Sequence, residues 1–271
     1  MKFLLTLVSL VAAASAATAS ETTSTAVHSG QASAEFITAA NGYQPSKPVQ
    51  AAIRLTVDPG WHTYWTNPGE GGMKLGIAWT LPAGWKAGAV GWPVPSRIKT
   101  GELSGFGYSG EILLPVTLTP PANATGEAVI GVKLNWLTCD EMACVPGEAP
   151  LVATLKSGEP APNPNAALIE KARAAVPRPV DGLALTVKED GKNLVLTVTA
   201  PAALDPAAFE VYPVTPQTID NAATIKFAKS GTAWTAPVTA SEYLKGAPKS
   251  LELVLTGGGL PHPALVVWPK K

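Results

Sequence analysis

Glycine or proline interrupts this chain about once every five residues: 25 Gly and 26 Pro are spread through 271 positions without a period. A proline removes a backbone donor and a glycine raises the entropic cost of any regular element, so long helices cannot persist. The missing Gly-X-Y period excludes a collagen-like rod. Between the interruptions, apolar residues alternate. Gln50 to Val57 sets Ala51, Ile53, Leu55 and Val57 on one face, and Leu75 to Leu81 does the same with Leu75, Ile77, Trp79 and Leu81. Ile112 to Leu118 follows, and then Val129 to Leu137, with Ile130, Val132, Leu134 and Trp136 opposed by Gly131, Lys133 and Asn135. Period two with one apolar face marks a half-buried antiparallel strand. Many such strands at short spacing predict an all-β sandwich.

The pattern breaks once. Gly158-Glu-Pro-Ala-Pro-Asn-Pro reads as a stiff, extended linker. Asn165 to Val176 reads as one helix, with Asn165 as its N-cap and Pro177 beyond its end. Strands then resume at Leu183–Val187, Leu194–Thr199, Thr224–Phe227, Leu251–Leu255 and Ala264–Trp268, with Asp190-Gly191 as a hairpin turn between the first two. The expected organisation is a signal peptide over 1–19, a flexible leader over 20–31 and an immunoglobulin-like domain over 32–157. A linker with a short helix over 158–180 and a second small β-sandwich over 181–271 complete it. The leader assignment rests on Lys2, the apolar run Phe3 to Ala14, and cleavage sites at Ala14-Ser15-Ala16 or Ala17-Thr18-Ala19. That apolar run falls short of a membrane span, so the expectation is an exported, periplasmic chain that does not cross the membrane.

Charge excludes one class of partner. Lys plus Arg and Asp plus Glu both number 20, which leaves no basic footprint for nucleic acid. His28, His62 and His262 are scattered, and no nucleophile motif accompanies them. Gly69-Glu-Gly-Gly72 lacks the strand–loop–helix setting of a phosphate cradle and reads as a turn. The aromatic run Gly60-Trp61-His62-Thr63-Tyr64-Trp65, with Trp79, Trp85 and Trp92, reads first as sandwich packing and second as a stacking surface for carbohydrate or peptide.

The chain has two cysteines, in Trp136-Leu-Thr-Cys139-Asp-Glu-Met-Ala-Cys144-Val-Pro146. Cys139 ends the strongest strand and Cys144 opens the next, so a hairpin would place them face to face at its mouth, at disulfide distance. A bridge closing so short a ring contributes only about 2 kcal/mol by chain entropy. Spacing alone therefore leaves redox exchange and plain stapling evenly matched. Cu(I) binding by two thiolates and Met142 stands as a third reading, although no His lies in the segment. Asp140 and Glu141 raise thiol pKa values, which suits a carrier attacked by a partner's thiolate better than a hydrolytic cysteine.

The series Gly60-Trp61-His62-Thr63-Tyr64-Trp65, Asn67-Pro68-Gly69, Trp92-Pro93, Gly107-Tyr108, Leu114-Pro115-Val116 and the Cys139/Cys144-Val-Pro146 loop resembles the N-terminal periplasmic domain of DsbD-type thiol:disulfide interchange proteins. The resemblance extends to their copper-sensitivity suppressor branch and spans about residues 32–155. It implies an immunoglobulin-like sandwich whose Cys139–Cys144 pair exchanges electrons with periplasmic thioredoxin-like proteins, a protein-disulfide reductase activity needing no cofactor. It also implies an aromatic cap loop over the pair, here Gly101 to Tyr108 with Phe106 or Tyr108 as the shield. Trp136 and Pro146, beside the cysteines, are expected as further cap or partner contacts. Family members continue into a membrane domain and a thioredoxin-like domain; without these, the reductant is expected to be a separate membrane or periplasmic protein. The alternative is a periplasmic binding module, for copper or a protein partner and linked to copper tolerance, whose cysteines are a staple or soft ligands. Which cysteine meets the partner stays open, although a lone Cys139 is expected to trap one. Residues 181–271 hold no cysteine, so a fragment ending near Gly158 is expected to keep exchange activity.

Overall fold

The computed structural model of the protein describes residues 23–269. The signal peptide expected over 1–19 and the first residues of the expected leader lie outside that range. Two sheets enclose the first core. One runs in the order Val27–Ser29, Ala32–Thr38, Val49–Val57, Glu111–Thr119 and Lys86–Ala87. The other runs Gly42–Tyr43, Cys144–Ser157, Glu127–Cys139, His62–Tyr64, Leu103–Tyr108 and Ser96–Thr100, with Gly76–Thr80 also paired to Glu127–Cys139. The alternation seen in the sequence is the alternation that packs. Ala51, Ile53 and Leu55 from one sheet meet Ile130, Leu134 and Trp136 from the other, all buried. Trp65 and Trp85 are buried in the same core and Trp61, Trp79 and Trp92 pack against it, so packing accounts for most of the aromatic run.

Part of the expected leader is structured. Val27–Ser29 pairs antiparallel with Ala32–Ala34 across a tight turn in which Gly30 and Gln31 both have positive φ. Ser24 adds two further bonds, its N–H to the Phe36 carbonyl and its Oγ accepting from the Phe36 N–H.

The helix spans Asn165–Ala174 and docks through Ile169, which is buried against Ile37 and Ala52 on the outer face of the first sheet. Its cap differs from expectation. Asn165 is the first helical residue, with its Oδ1 accepting from the Arg54 guanidinium, and the Asn163 side chain accepts from the Asn165 N–H instead. The second core lies between the sheet Ala184–Asp190, Asn193–Thr199, Ala233–Thr239, Ala228–Ser230 and the sheet Phe209–Pro213, Leu251–Gly257, Ala264–Trp268. The Asp190-Gly191 turn closes the expected hairpin, with Asp190 opposite Asn193 and Gly191 at positive φ. Thr224 to Phe227 is not a strand; the pairing there belongs to Ala228–Ser230, while Ile225 and Phe227 insert into the core from irregular backbone.

The strand Leu251–Gly257 is buried on both faces. Leu251, Leu253 and Leu255 point into the second core, and Val254 points the other way into the first. Tyr212, Val214 and Leu265 reinforce that contact, so the two sandwiches share an apolar seam.

Candidate redox site

The site begins with the longest hairpin in the fold. Glu127–Cys139 and Cys144–Ser157 pair residue for residue from Glu127↔Lys156 to Cys139↔Cys144, and the two sulfurs are bonded across its mouth with the Cα atoms 4.1 Å apart. The turn between them is closed by Asp140. Its N–H donates to the Ala143 carbonyl, and its Oδ1 accepts from the N–H groups of Met142 (2.8 Å) and Ala143 (2.7 Å). This is the Asx-type arrangement that short acidic side chains favour in tight turns. Those two amides hold the Asp140 carboxyl below its ordinary range, with a smaller contribution from His62.

The two cysteines are not equivalent. Cys139 is fully buried, whereas Cys144 is exposed and Met142, at the loop tip, is 91% exposed. The cover over Cys139 follows from sheet order. Cys139 pairs with His62, and Tyr64, two residues along, stands on the same face. The Tyr64 hydroxyl donates to Cys139 Sγ at 3.0 Å, lies 3.0 Å from Thr100 Oγ1, and Thr100 Oγ1 lies 3.0 Å from His62 Nε2.

Hydrogen counting orients this chain. A phenol has one proton, and Tyr64 gives it to sulfur, so Thr100 must donate to Tyr64. Thr100 then has only lone pairs left for His62, which must carry its hydrogen on Nε2. Three groups in series therefore point donors toward one sulfur, and such chains polarise cooperatively. Burial holds the His62 imidazole below its usual pKa, and the Asp140 carboxylate opposes this only in part.

Tyr64 is itself covered. The segment after it leaves the sheet and returns with Gly72 flat on the phenol ring; a Cβ there would lie 2.2 Å from Tyr64 Cδ1. Gly69, at positive φ, sits so close to Gly105 that a Cβ would come within 2.4 Å of its Cα, and the Glu70 N–H donates to the Ser104 carbonyl. The loop is thus pressed onto the hairpin Ser96–Tyr108, which carries Thr100.

The aromatic residues expected to cap the pair are placed elsewhere. Register puts Thr138, Thr63 and Tyr108 on one face and Cys139, His62, Tyr64 and Gly107 on the other. Strand alternation then sends Phe106 and Tyr108 into the sandwich, away from the sulfurs. Phe106 packs on Trp65, and the Tyr108 hydroxyl donates to the Pro93 carbonyl at 2.7 Å; burial pushes that phenol's pKa strongly upward. Trp136 shares the inner face and lies against Gly147. Of the four expected contacts, Pro146 alone is exposed, two residues beyond Cys144.

Other chemistry is not assembled nearby. Among the described residues no group of three His, Cys, Asp or Glu side chains could hold a metal ion. A cleft of about 810 Å³, lined by Glu70, Glu189, Asp220 and Glu242, includes no residue of the cysteine hairpin.

A sandwich that holds a cysteine pair at a hairpin mouth, one sulfur sheltered and one presented, has the architecture of a thiol:disulfide interchange module. Residues 31–156 match the family model described as thiol:disulfide interchange protein DsbD, N-terminal. The whole fold is similar to the crystal structure of the N-terminal periplasmic domain of ScsB from Proteus mirabilis. The TM-score is 0.68 at 21% identity, covering 92% of this chain and 98% of that one. Because this likeness extends well beyond residue 156, it includes the second sandwich. No curated protein matches the sequence. Among the described residues no helix is long and apolar enough to cross a membrane.

Proposed function

We propose that the protein exchanges disulfides with thioredoxin-like partners in the periplasm through Cys139 and Cys144, and that Cys144 is the sulfur the partner meets. The burial asymmetry carries this reading. A partner thiolate attacks Cys144 Sγ, a new S–S bond forms between partner and Cys144, and the old bond breaks with its electron pair on Cys139. The leaving thiolate forms where Tyr64 already donates, which lowers its basicity and speeds departure. The partner's second thiol then attacks its own bonded sulfur, releasing oxidised partner and a Cys144 thiolate, and the pair has gained two electrons. The reverse sequence oxidises the pair. Met142, exposed at the tip of the same turn, gives the partner apolar contact near Cys144. Residues 32–157 carry this chemistry, and the apolar leader together with the disulfide favours export.

Single replacements test the assignment with oxidised thioredoxin as probe. Cys139→Ser leaves the exposed thiol and should form a mixed disulfide on non-reducing gels. Cys144→Ser leaves the sheltered thiol and should do so at least ~10-fold more slowly, the reverse of the sequence expectation that Cys139 traps, because opening the cover costs a buried hydrogen bond. Faster trapping by Cys144→Ser would reverse the order of attack. No adduct from either folded variant, with a reduction potential below about −300 mV in the wild type, would make the bond a staple.

A further inference from the structure

The second sandwich offers no cysteine, and the sequence suggested that exchange could proceed without it. Two side chains argue otherwise, one buried and one reaching across from an exposed strand. Asn67, 1% exposed, belongs to the loop that folds over Tyr64. Its amide donates to the Pro213 carbonyl at 2.8 Å and lies 3.4 Å from Asn221 Oδ1, while its own Oδ1 accepts from the Gly69 N–H. Arg97 lies on the strand that ends at Thr100. Its guanidinium donates to the carbonyls of Val211 (3.1 Å) and Asn221 (3.2 Å) and lies over the rings of Phe106 and Tyr212. Pro213, Val211, Tyr212 and Asn221 all belong to the second sandwich.

We infer that the second sandwich fixes the cover of the redox site, with Asn67 and Arg97 as positioning residues. The geometry gives each one task. Tyr64 reaches Cys139 only while Gly72 rests on its ring, and the path of residues 67–72 is set at one end by Asn67 and in the middle by the Gly69–Gly105 contact. Thr100 completes the donor chain only while its edge strand keeps its place beside Leu103–Tyr108, and Arg97 ties that strand to the second sandwich through two charge-assisted bonds. Both clamps reach into the three-stranded sheet or the turn beside it, so loosening either frees the cover without touching a sulfur. A spacer domain would need neither; an apolar seam alone would hold it in place.

This inference rests on the reading of Cys139 as the sheltered sulfur, and the test separates the two. Full-length protein is reduced and pulsed with iodoacetamide, and the labelling rates of Cys139 and Cys144 are read by peptide mass spectrometry. In the wild type Cys144 should label first; equal rates there would overturn the sheltered-sulfur reading and the clamp with it. Asn67→Ala and Arg97→Met should each raise Cys139 labelling, by about tenfold for the buried Asn67 set and by severalfold for the part-buried Arg97 pair, while Cys144 is unchanged, because losing hydrogen bonds between the sandwiches shifts a local opening equilibrium. Leu196→Ala, on the sheet of the second core opposite the one that holds Val211 and Pro213, should lower the melting temperature without raising Cys139 labelling. Should Asn67→Ala fail to fold, Asn221→Ala weakens the same clamp from the opposite side and should shift labelling in the same direction by less. Wild-type labelling in folded clamp variants, or an equal rise in Leu196→Ala, would refute the inference. Because labelling needs no partner, a failure of the trapping experiment leaves this result readable.

Discussion

Replacing Tyr64 with Phe deletes one oxygen and leaves the ring under Gly72, so its effect isolates the hydrogen bond to Cys139. The hydroxyl is buried, with Cys139 Sγ and Thr100 Oγ1 each at 3.0 Å. In the resting disulfide the bond to sulfur is a weak neutral contact, and Thr100 keeps His62 as a partner, so the stability cost should be near 1 kcal/mol. In the exchange reaction the same hydroxyl faces a developing thiolate. Hydrogen bonds to charged groups contribute about 1.5–3 kcal/mol, and a factor of ten in rate corresponds to about 1.4 kcal/mol. Only part of the charge has developed at the transition state, so Tyr64→Phe should slow reduction of the disulfide about tenfold. The assay is reduction by excess dithiothreitol at pH 7, quenched with acid and read by alkylation mass. Because Phe keeps the cover in place, Cys139 in the reduced variant should remain poorly labelled. An unchanged reduction rate in a folded, still-sheltered variant would refute the idea that Tyr64 stabilises the leaving sulfur.

Gly72→Ala should act through space instead of charge: its Cβ would sit 2.2 Å from the Tyr64 ring, so the loop must lift, and faster Cys139 labelling with a lower melting temperature should follow. Asp140→Asn keeps an acceptor for the Met142 and Ala143 amides while removing the negative charge beside the pair, so thiol reactivity at pH 7 should rise with the melting temperature nearly unchanged; Asp140→Ala should lower both turn order and melting temperature. His62 is held below its ordinary pKa of 6.5 in the folded state, so below 6.5 the unfolded chain takes up a proton that the native one resists. Stability should therefore fall as pH drops through that value and down to the folded pKa, and His62→Gln should flatten that part of the melting curve measured between pH 7.5 and 5.

Local pattern carried much of this fold. Ile130, Val132, Leu134 and Trp136 alternate within one strand, and the hairpin mouth follows from two cysteines flanking a four-residue turn, so the strands and the bonded pair were legible without any distant contact. The cover was not. Tyr64 and Cys139 are 75 positions apart and meet only because His62–Tyr64 is placed beside Glu127–Cys139 in the sheet. The error over Phe106 and Tyr108 has the same origin. They sit on the strand next to His62–Tyr64, but side-chain direction depends on the Tyr64↔Gly107 pairing, and a shift of one residue exchanges the faces. Tyr64 was visible only as one aromatic among many in a run that packs, and nothing local separates an aromatic that fills a core from one that aims a hydroxyl at sulfur. Asn67 and Arg97 were beyond reach for the same reason, with partners 146 and 124 positions away.

The cysteine hairpin has a consequence for how readily the pair closes again once opened. Its ladder continues without interruption up to Cys139↔Cys144, and beyond that pair the Asp140 carboxylate ties the turn amides together. Neither restraint depends on the sulfur–sulfur bond. When the bond opens, the ladder and the turn should hold the two thiols opposed on a stiff ribbon, so that the pair can close again without a conformational search. On the exchange reading proposed above, such a ribbon serves a docked reductant and a docked oxidant alike, and the direction of exchange follows the relative potentials of the proteins that dock there.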